Sequence, residues 1–353
     1  QGAISVAQGI IGLGVAPRSQ VGLLANNGHE FVTGFFGAML ANCVAVPLNA
    51  RHKAHELGFI IENAQLSLLL TTAADTTHVD FREILSNALP SLVGAKATDG
   101  LMPEAPSLRH IVLLSGEGPA GFMDAASFAA AGDKVSADEV DLRRSCTRLR
   151  DIATIIYTSG TTANPKGCML THEAMSRGPV ERADKRFRSG KYDVTWGGGP
   201  LFHIGSLAPF IGSIGAAGTY LTDTFFNPKR AVELMQRESV TAIWPWFPAI
   251  LQPLLDQPDF ITATTGVRSM LLIGPEALVN RVQKLLPEAE IMQACGMTET
   301  AGIFALSDPD ENQEQRATSN GKAVPGVEVR IVDIESGLDA PPDIDGEIWV
   351  RGY

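Results

Sequence analysis

The chain has 353 residues, 45% of them hydrophobic, with 39 acidic against 28 basic side chains and a formal net charge of −11. That length buries a substantial core in two or three lobes, and the acidic balance argues against nucleic acid as the main partner, though not against a nucleotide bound by local charge. Cys43, Cys146, Cys168 and Cys295 show no C-x-x-C spacing and no apolar run reaches membrane-spanning length, so a cytoplasmic protein with reduced thiols is expected, without a disulfide frame or a zinc site. Gln1 opens the chain inside an apolar segment and Tyr353 closes it just after a strand, so both ends are expected to be cuts in a longer protein.

In chain order, Ile4 to Val15 reads as a helix, Val21 to Ala25 as a strand, and Asn26-Asn27-Gly28 as the turn that follows. His29 to Cys43 reads as a helix, because Phe31, Phe35 and Met39 recur every four residues and Val32 and Phe36 widen the stripe. Val44 to Leu48, His55 to Ala64 and Ser67 to Thr71 continue as strand, helix, strand. Alternation of this kind predicts a mostly parallel sheet covered by helices. Between residues 78 and 150 the pattern weakens: His110 to Leu114 is a strand, and Ser115 to Cys146 reads as a surface excursion. Alternation resumes after Ile152–Ile156, with helices over Pro228–Ser239, Pro248–Leu255 and Pro275–Leu286. Strands are predicted over Val240–Trp246, Val267–Ile273 and Glu290–Ala294. Beyond Asn320 the texture turns to β, with Val327–Val332 and Gly346–Arg351 alternating and Asp343–Gly346 forming the turn into the last strand. The expected fold class is α/β: two stacked, helix-covered, mostly parallel sheet subdomains, the first over about 1–190 and the second over 191–318, and a small β-rich, barrel-like portion over 319–353.

The most informative segment is Tyr157-Thr158-Ser159-Gly160-Thr161-Thr162-Ala163-Asn164-Pro165-Lys166-Gly167, which follows an apolar strand. Exposed backbone N–H groups, rotatable hydroxyls and one ammonium suit a polyphosphate. Pro165 before Lys166 and Gly167 after it exclude a Walker loop, which needs Gly then Ser or Thr there. A solvated turn between two strands is the plainer alternative. Three further segments stand out: Pro200-Leu201-Phe202-His203-Ile204-Gly205, Gln293-Ala294-Cys295-Gly296-Met297-Thr298-Glu299, and Gly346-Glu347-Ile348-Trp349-Val350-Arg351-Gly352. In the second of these a short strand leads into a glycine turn and a Thr-Glu pair, which can cap a helix start or hold a phosphate and a hard cation. His52, His55 and His78 sit among polar residues and read as solvated. Trp244, Trp246 and Phe247 read as core and pocket wall together, at an irregular strand end flanked by Pro245 and Pro248. Gly197-Gly198-Gly199 reads as close packing or a pocket floor, since no helix start is expected after it.

These segments, in this order, resemble the signatures of the acyl-adenylate-forming enzymes: acyl-CoA synthetases, peptide-synthetase adenylation domains and luciferase. The resemblance covers essentially the whole chain. It implies that Thr158, Ser159, Gly160, Thr161, Thr162 and Lys166 cradle the β- and γ-phosphates of ATP. By the same resemblance Phe202 and His203 gate the acid's access, Thr298 contacts the α-phosphate, and Glu299 holds Mg²⁺. Gly274 and Pro275 lie in the loop against one side of adenine, and Cys295 and Gly296 against the other. Three positions depart from the family pattern: Ala163 stands for Gly, Pro275 for Gly, and Cys295 for an aromatic that stacks on adenine. No Asp lies close to His203 to hold a substrate ammonium, which favours acyl-CoA synthetase over the amino-acid-activating type. The family's later Thr-Gly-Asp motif, its hinge and its lysine-bearing C-terminal domain do not occur in residues 1–353. The resemblance thus implies an ATP-dependent carboxylic acid:CoA ligase using ATP, Mg²⁺ and coenzyme A on a fatty, alicyclic or aromatic acid. His203, Thr298, Glu299 and Lys166 are then the catalytic set. The alternatives are an adenylation domain that loads an amino or aryl acid onto a carrier protein, and a non-catalytic nucleotide- or acyl-binding module. Whether the protein is a homo-oligomer is left open.

Overall fold

A computed structural model describes residues 1–73, 78–92, 102–158 and 164–353. The chain forms two compact units, 1–172 with 200–203, and 173–199 with 204–353. Their boundaries fall at other positions than those of the three-part division expected from sequence.

In the first unit, six strands form one sheet: β1 (Gln20–Leu24), β2 (Val44–Pro47), β3 (Leu68–Thr71), β4 (His110–Leu113), β5 (Ile152–Thr158) and β6 (Lys166–Thr171), in the order β4-β3-β1-β2-β5-β6. The first five run parallel and β6 returns antiparallel to β5. Every residue of β2 and β3 is buried, as expected for strands with helices on both faces. Helices His29–Leu40 and Ala54–Asn63 form where the sequence predicts them, and Phe31, Phe35, Leu57 and Ile60 are their inward residues. Two hydroxyls lock neighbouring strands where the side chains are dry: Thr71 donates to the Leu24 carbonyl at 2.8 Å, and Thr154 to that of Ala45 at 2.7 Å.

The expected excursion over Ser115–Cys146 is instead largely helical, with Ala125–Gly132 capped by Asp124 and Ala137–Ser145 capped by Ser136. Neither helix carries a clear apolar stripe in sequence, one being alanine-rich and the other mostly charged. Tertiary contact orders the first of them, where Phe128 lies buried over Gly9 of the helix Gly2–Gly12. His52 is another correction: its side chain is only 11% exposed and lies 3.7 Å from Glu56.

In the second unit, β7 (Val194–Gly197), β8 (Thr219–Leu221), β9 (Ala242–Trp246), β10 (Ser269–Leu272) and β11 (Glu290–Met292) form a parallel sheet in the order β11-β10-β9-β7-β8. Helices Ile204–Gly215, Pro228–Arg237, Pro248–Leu255 and Glu276–Leu285 connect the strands. One core gathers Trp196, Ile243, Met270 and Ile291; another gathers Phe187, Trp244, Trp246 and Leu271. Alternate residues of β9 thus serve opposite faces. β12 (Ala294–Met297), β13 (Gly302–Leu306) and β14 (Lys322–Ala323) make a small antiparallel sheet, while β15 (Glu328–Val332) and β16 (Glu347–Arg351) make a two-stranded ribbon. Of the barrel-like portion expected over 319–353, β14 joins the small antiparallel sheet and β15 and β16 form the ribbon, whose residues are largely exposed. No helix among the described residues is long and apolar enough to cross a membrane.

Candidate active site

In the first unit, the hydroxyl-rich segment joins the two strands of a hairpin. β5 and β6 pair Tyr157 with Gly167 and Thr158 with Lys166, so the loop's two flanking candidates face each other across the base of the turn. The Thr158 hydroxyl lies 3.5 Å from the Lys166 carbonyl, and Lys166 is exposed. Ser159, Gly160, Thr161 and Thr162, together with Ala163, lie outside the described residues. The hairpin is braced by Tyr157, whose hydroxyl donates to Asn63 Oδ1 at 2.6 Å and whose burial raises its pKa.

Pro200 to His203 is a turn, and the helix Ile204–Gly215 begins directly after it. A helix start thus does follow the triple glycine, against expectation. Gly197–Gly199 nevertheless serves close packing: a side chain at Gly197 would run into the Tyr220 hydroxyl and one at Gly199 into Ser206 Oγ. The turn itself is tied down by the Leu201 amide, which donates to Asn27 Oδ1 at 2.7 Å, while Phe202 packs against the core of the first unit. Asn27 belongs to the turn after β1, and sequence reading gave it no role. Its only signal was the position of an Asn at a strand end. His203 keeps more than a third of its surface exposed, yet surrounding protein lowers its imidazole pKa by desolvation. The exposure limits that effect, and the direction favours the neutral ring at pH 7.

In the second unit, Thr298 and Glu299 occupy the tip of the β12–β13 hairpin. The expected glycine turn and helix start are replaced by a strand that contains Gly296 and a single 3₁₀ turn over Thr298–Thr300. The ladder shifts register between Cys295 and Gly296. Gly296 permits this closure, since a Cβ there would stand 2.6 Å from the Gly302 carbonyl. Thr300 holds the tip by donating to the carbonyls of Met297 (3.0 Å) and Gly302 (2.7 Å). Thr298 is buried and Glu299 exposed, so the carboxylate is free to face a solvated ligand.

Gln293 links two of the predicted segments. Its Oε1 accepts from the Gly274 amide at 3.2 Å, and its Nε2 donates to the carbonyls of Arg316 and Ala317 at 3.2 and 3.0 Å. The turn Gly274-Pro275 is thereby held beside the strand that carries Cys295, Gly296 and the Thr-Glu tip. Pro275 takes the position just before the helix Glu276–Leu285, where its missing N–H costs nothing. Gln293 opens one of the segments that stand out in the sequence, but its positioning role could not be read without the fold. Among the described residues no cluster of three or more metal-ligating side chains occurs. A lone exposed carboxylate beside a hydroxyl still suits Mg²⁺, which takes one or two carboxylates and completes its shell with phosphate oxygens and water.

Helix-covered parallel sheets, with a hairpin between Thr158 and Lys166 in one unit and a Thr-Glu hairpin tip in the other, define an α/β protein. The model of the AMP-binding enzyme family matches residues 2–353, and the chain belongs to that family. It is 28% identical over 357 residues to the 3-[(3aS,4S,7aS)-7a-methyl-1,5-dioxo-octahydro-1H-inden-4-yl]propanoyl:CoA ligase of Mycobacterium tuberculosis, covering 98% of this chain and 63% of that protein. It is 24% identical over 356 residues to the mitochondrial medium-chain acyl-CoA ligase ACSF2 of Mus musculus, covering 98% and 58%. The chain therefore spans about three-fifths of the length of these relatives. In fold it is similar to the anthranilate CoA ligase AuaEII in complex with anthranoyl-AMP, with a TM-score of 0.80 and 23% identity over 99% of this chain and 63% of that one.

Proposed function

We propose that this chain is the large N-terminal part of an ATP-dependent carboxylic acid:CoA ligase that works through an acyl-AMP intermediate. The observation that carries the reading is the Thr298-Glu299 hairpin tip, held through Gln293 to the Gly274-Pro275 turn. In this reading the hydroxyl that contacts phosphate, the carboxylate that binds the cation and the turn that flanks adenine share one hydrogen-bonded frame. Similarity to proteins named as acyl-CoA ligases supports it.

In this reading the substrate carboxylate attacks the α-phosphorus of ATP, the bond to the β-phosphate oxygen breaks, and pyrophosphate leaves. The thiolate of coenzyme A then attacks the acyl carbon and displaces AMP. Lys166 and the hydroxyls of Thr158, Ser159, Thr161 and Thr162, with the Gly160 backbone, stabilise the charge that grows on the leaving pyrophosphate. Thr298 donates to the α-phosphate. His203, neutral at working pH, borders the acid's entry and adds no charge to repel or trap the incoming carboxylate. Glu299 would hold Mg²⁺, whose charge offsets that of the phosphates. Cys295 offers adenine an apolar edge without a ring face. Trp244, Trp246 and Phe247, read in the sequence as core and pocket wall together, favour a fatty, alicyclic or aromatic acid. We place the protein in the cytoplasm on its reduced-thiol composition.

The test is thermal shift with non-hydrolysable acyl-sulfamoyl adenosines bearing short, long, aromatic and polycyclic acyl groups. A shift of several degrees with one class is expected, because a ligand at many times its Kd stabilises by a few kcal/mol. Absence of any shift, in this chain and in its complete reading frame alike, would overturn the proposal.

A further inference from the structure

The second unit contains a cavity of about 200 Å³ that shares no residue with the candidate active-site segments. Leu306, Ala323, Val324, Pro325 and the Tyr353 ring give it an apolar floor. Four cations line it: Arg182, Lys185, Arg186 and Lys322. Three of them have a carboxylate within 4 Å. Lys185 pairs with Glu181 at 2.8 Å, Arg186 with Glu290 at 2.8 Å, and Lys322 with Asp308 at 3.8 Å. Arg182 differs from them. Its residue is 8% exposed, and among the described residues no carboxylate lies within 4 Å of its guanidinium; the Glu181 carboxylate, on the same cavity wall, acts on it only at longer range. Its partner is the Tyr353 hydroxyl, and the two groups converge on Gly178, where a Cβ would stand 2.8 Å from Arg182 Nη1 and 2.6 Å from the hydroxyl.

A buried cation with no carboxylate in direct contact is costly, and proteins retain one where something else supplies a paired charge. The backbone here is unusual too. The helix His172–Glu181 widens into a π turn over Arg182–Arg186, with the Phe187 amide donating to the Arg182 carbonyl at 2.9 Å. Such turns concentrate at functional positions. This one brings three of the four cations onto the cavity wall.

We propose that this cavity is a binding site for a small organic monoanion, a carboxylate with an apolar body, seated with its charge on Arg182 and its body on the Leu306–Val324 floor. Arg182 selects a monoanion, because it is the one cation of the lining with no carboxylate within 4 Å among the described residues. A guanidinium matches the planar carboxylate with two parallel hydrogen bonds. The floor selects an apolar body over a bare ion. This site goes beyond the proposed ligase reaction and does not rest on it.

The experiment titrates the 353-residue chain with 4-fluorobenzoate, observed by ¹⁹F NMR, in the presence of a saturating acyl-sulfamoyl adenosine so that any acyl-adenylate site is filled. If the ligase reading fails and the analogue does not bind, the carboxylate titration still reads this cavity. Three probes are compared: 4-fluorobenzoate, 4-fluorobenzamide and inorganic phosphate. Saturable binding of the benzoate is expected, with the amide and phosphate at least about tenfold weaker, the scale of one charge-assisted pair or of a small apolar body. Arg182→Met, which keeps the length and removes the charge, should lose the benzoate signal while its unliganded thermal midpoint holds or rises. Arg182→Lys should retain part of the affinity and shows that an altered shape alone is not the cause. Equal binding by the amide, tighter binding of phosphate than benzoate, unchanged binding by Arg182→Met, or no saturable binding would each overturn the proposal.

Discussion

At the scale of single residues, Glu299 and Gly296 separate chemistry from architecture within one hairpin. Glu299 is exposed, so Glu299→Gln should leave the thermal midpoint unchanged while lowering acid-dependent ATP–pyrophosphate exchange by roughly 100-fold or more in the complete protein. Near wild-type exchange would remove Glu299 from the proposed role. Gly296→Ala does the reverse, placing a methyl 2.6 Å from the Gly302 carbonyl. A destabilisation of about 1–3 kcal/mol is expected from the forced strand shift, measurable by urea unfolding. Cys43 and Cys146 make a similar contrast. Burial pushes the Cys43 thiol up to about 11, whereas Cys146 is exposed. A thiol reagent at pH 8 should therefore label Cys146 in the native protein and Cys43 only on unfolding, as read by mass spectrometry.

Elements hold these residues in place through a few buried polar links. Gln293, just before β12, serves three backbone groups, one in the Gly274 turn and two in the helix Gln313–Thr318. Gln293→Leu keeps the volume and strands those groups, so a loss of about 1–3 kcal/mol is expected from chemical denaturation. In the complete protein, weaker nucleotide-analogue binding should accompany it. Elements also mark where sequence reading stopped. The helices with a four-residue aromatic stripe and the strands bounded by Gly and Pro were legible because their own residues carry the period. The return strand β6 was not read, since Lys166 to Thr171 has no clean alternation and its pairing with β5 supplies the order. Asn27 and Gln293 were silent for the same reason: each acts on backbone groups distant in sequence.

For the whole molecule, the histidines set the acid limit of stability. His52, His110, His172 and His203 all have pKa values lowered from 6.5, with desolvation the largest cause. Below 6.5 the unfolded chain therefore binds protons that the folded chain refuses, and stability falls as the pH drops from 6.5 through the folded-state values. Above pH 9 the sign reverses for Cys43, because the unfolded thiol ionises first, and its contribution is lost between 9 and about 11. Thermal midpoints measured from pH 5 to 11 should show a plateau between about 6.5 and 9. A midpoint rising below pH 6 would contradict the histidine assignment.

The sequence by itself determined the α/β class, most of the strand and helix positions, and the four ordered segments that mark the AMP-binding family. Each of these lies in contiguous residues whose types and spacing carry local physics: period, turn chemistry and donor density. Only the tertiary structure decided that the Thr-Glu pair caps a hairpin and does not start a helix, because the close approach of Gly296 to Gly302 depends on two strands meeting. Only the tertiary structure fixed the Gly274 turn beside Cys295, since Gln293 bridges groups 19 and 24 residues away. It likewise left Arg182 buried with no carboxylate within 4 Å among the described residues. Charge pairing is a property of positions in space, and a sequence with Glu181 next to Arg182 gives no sign that Lys185 takes that carboxylate first.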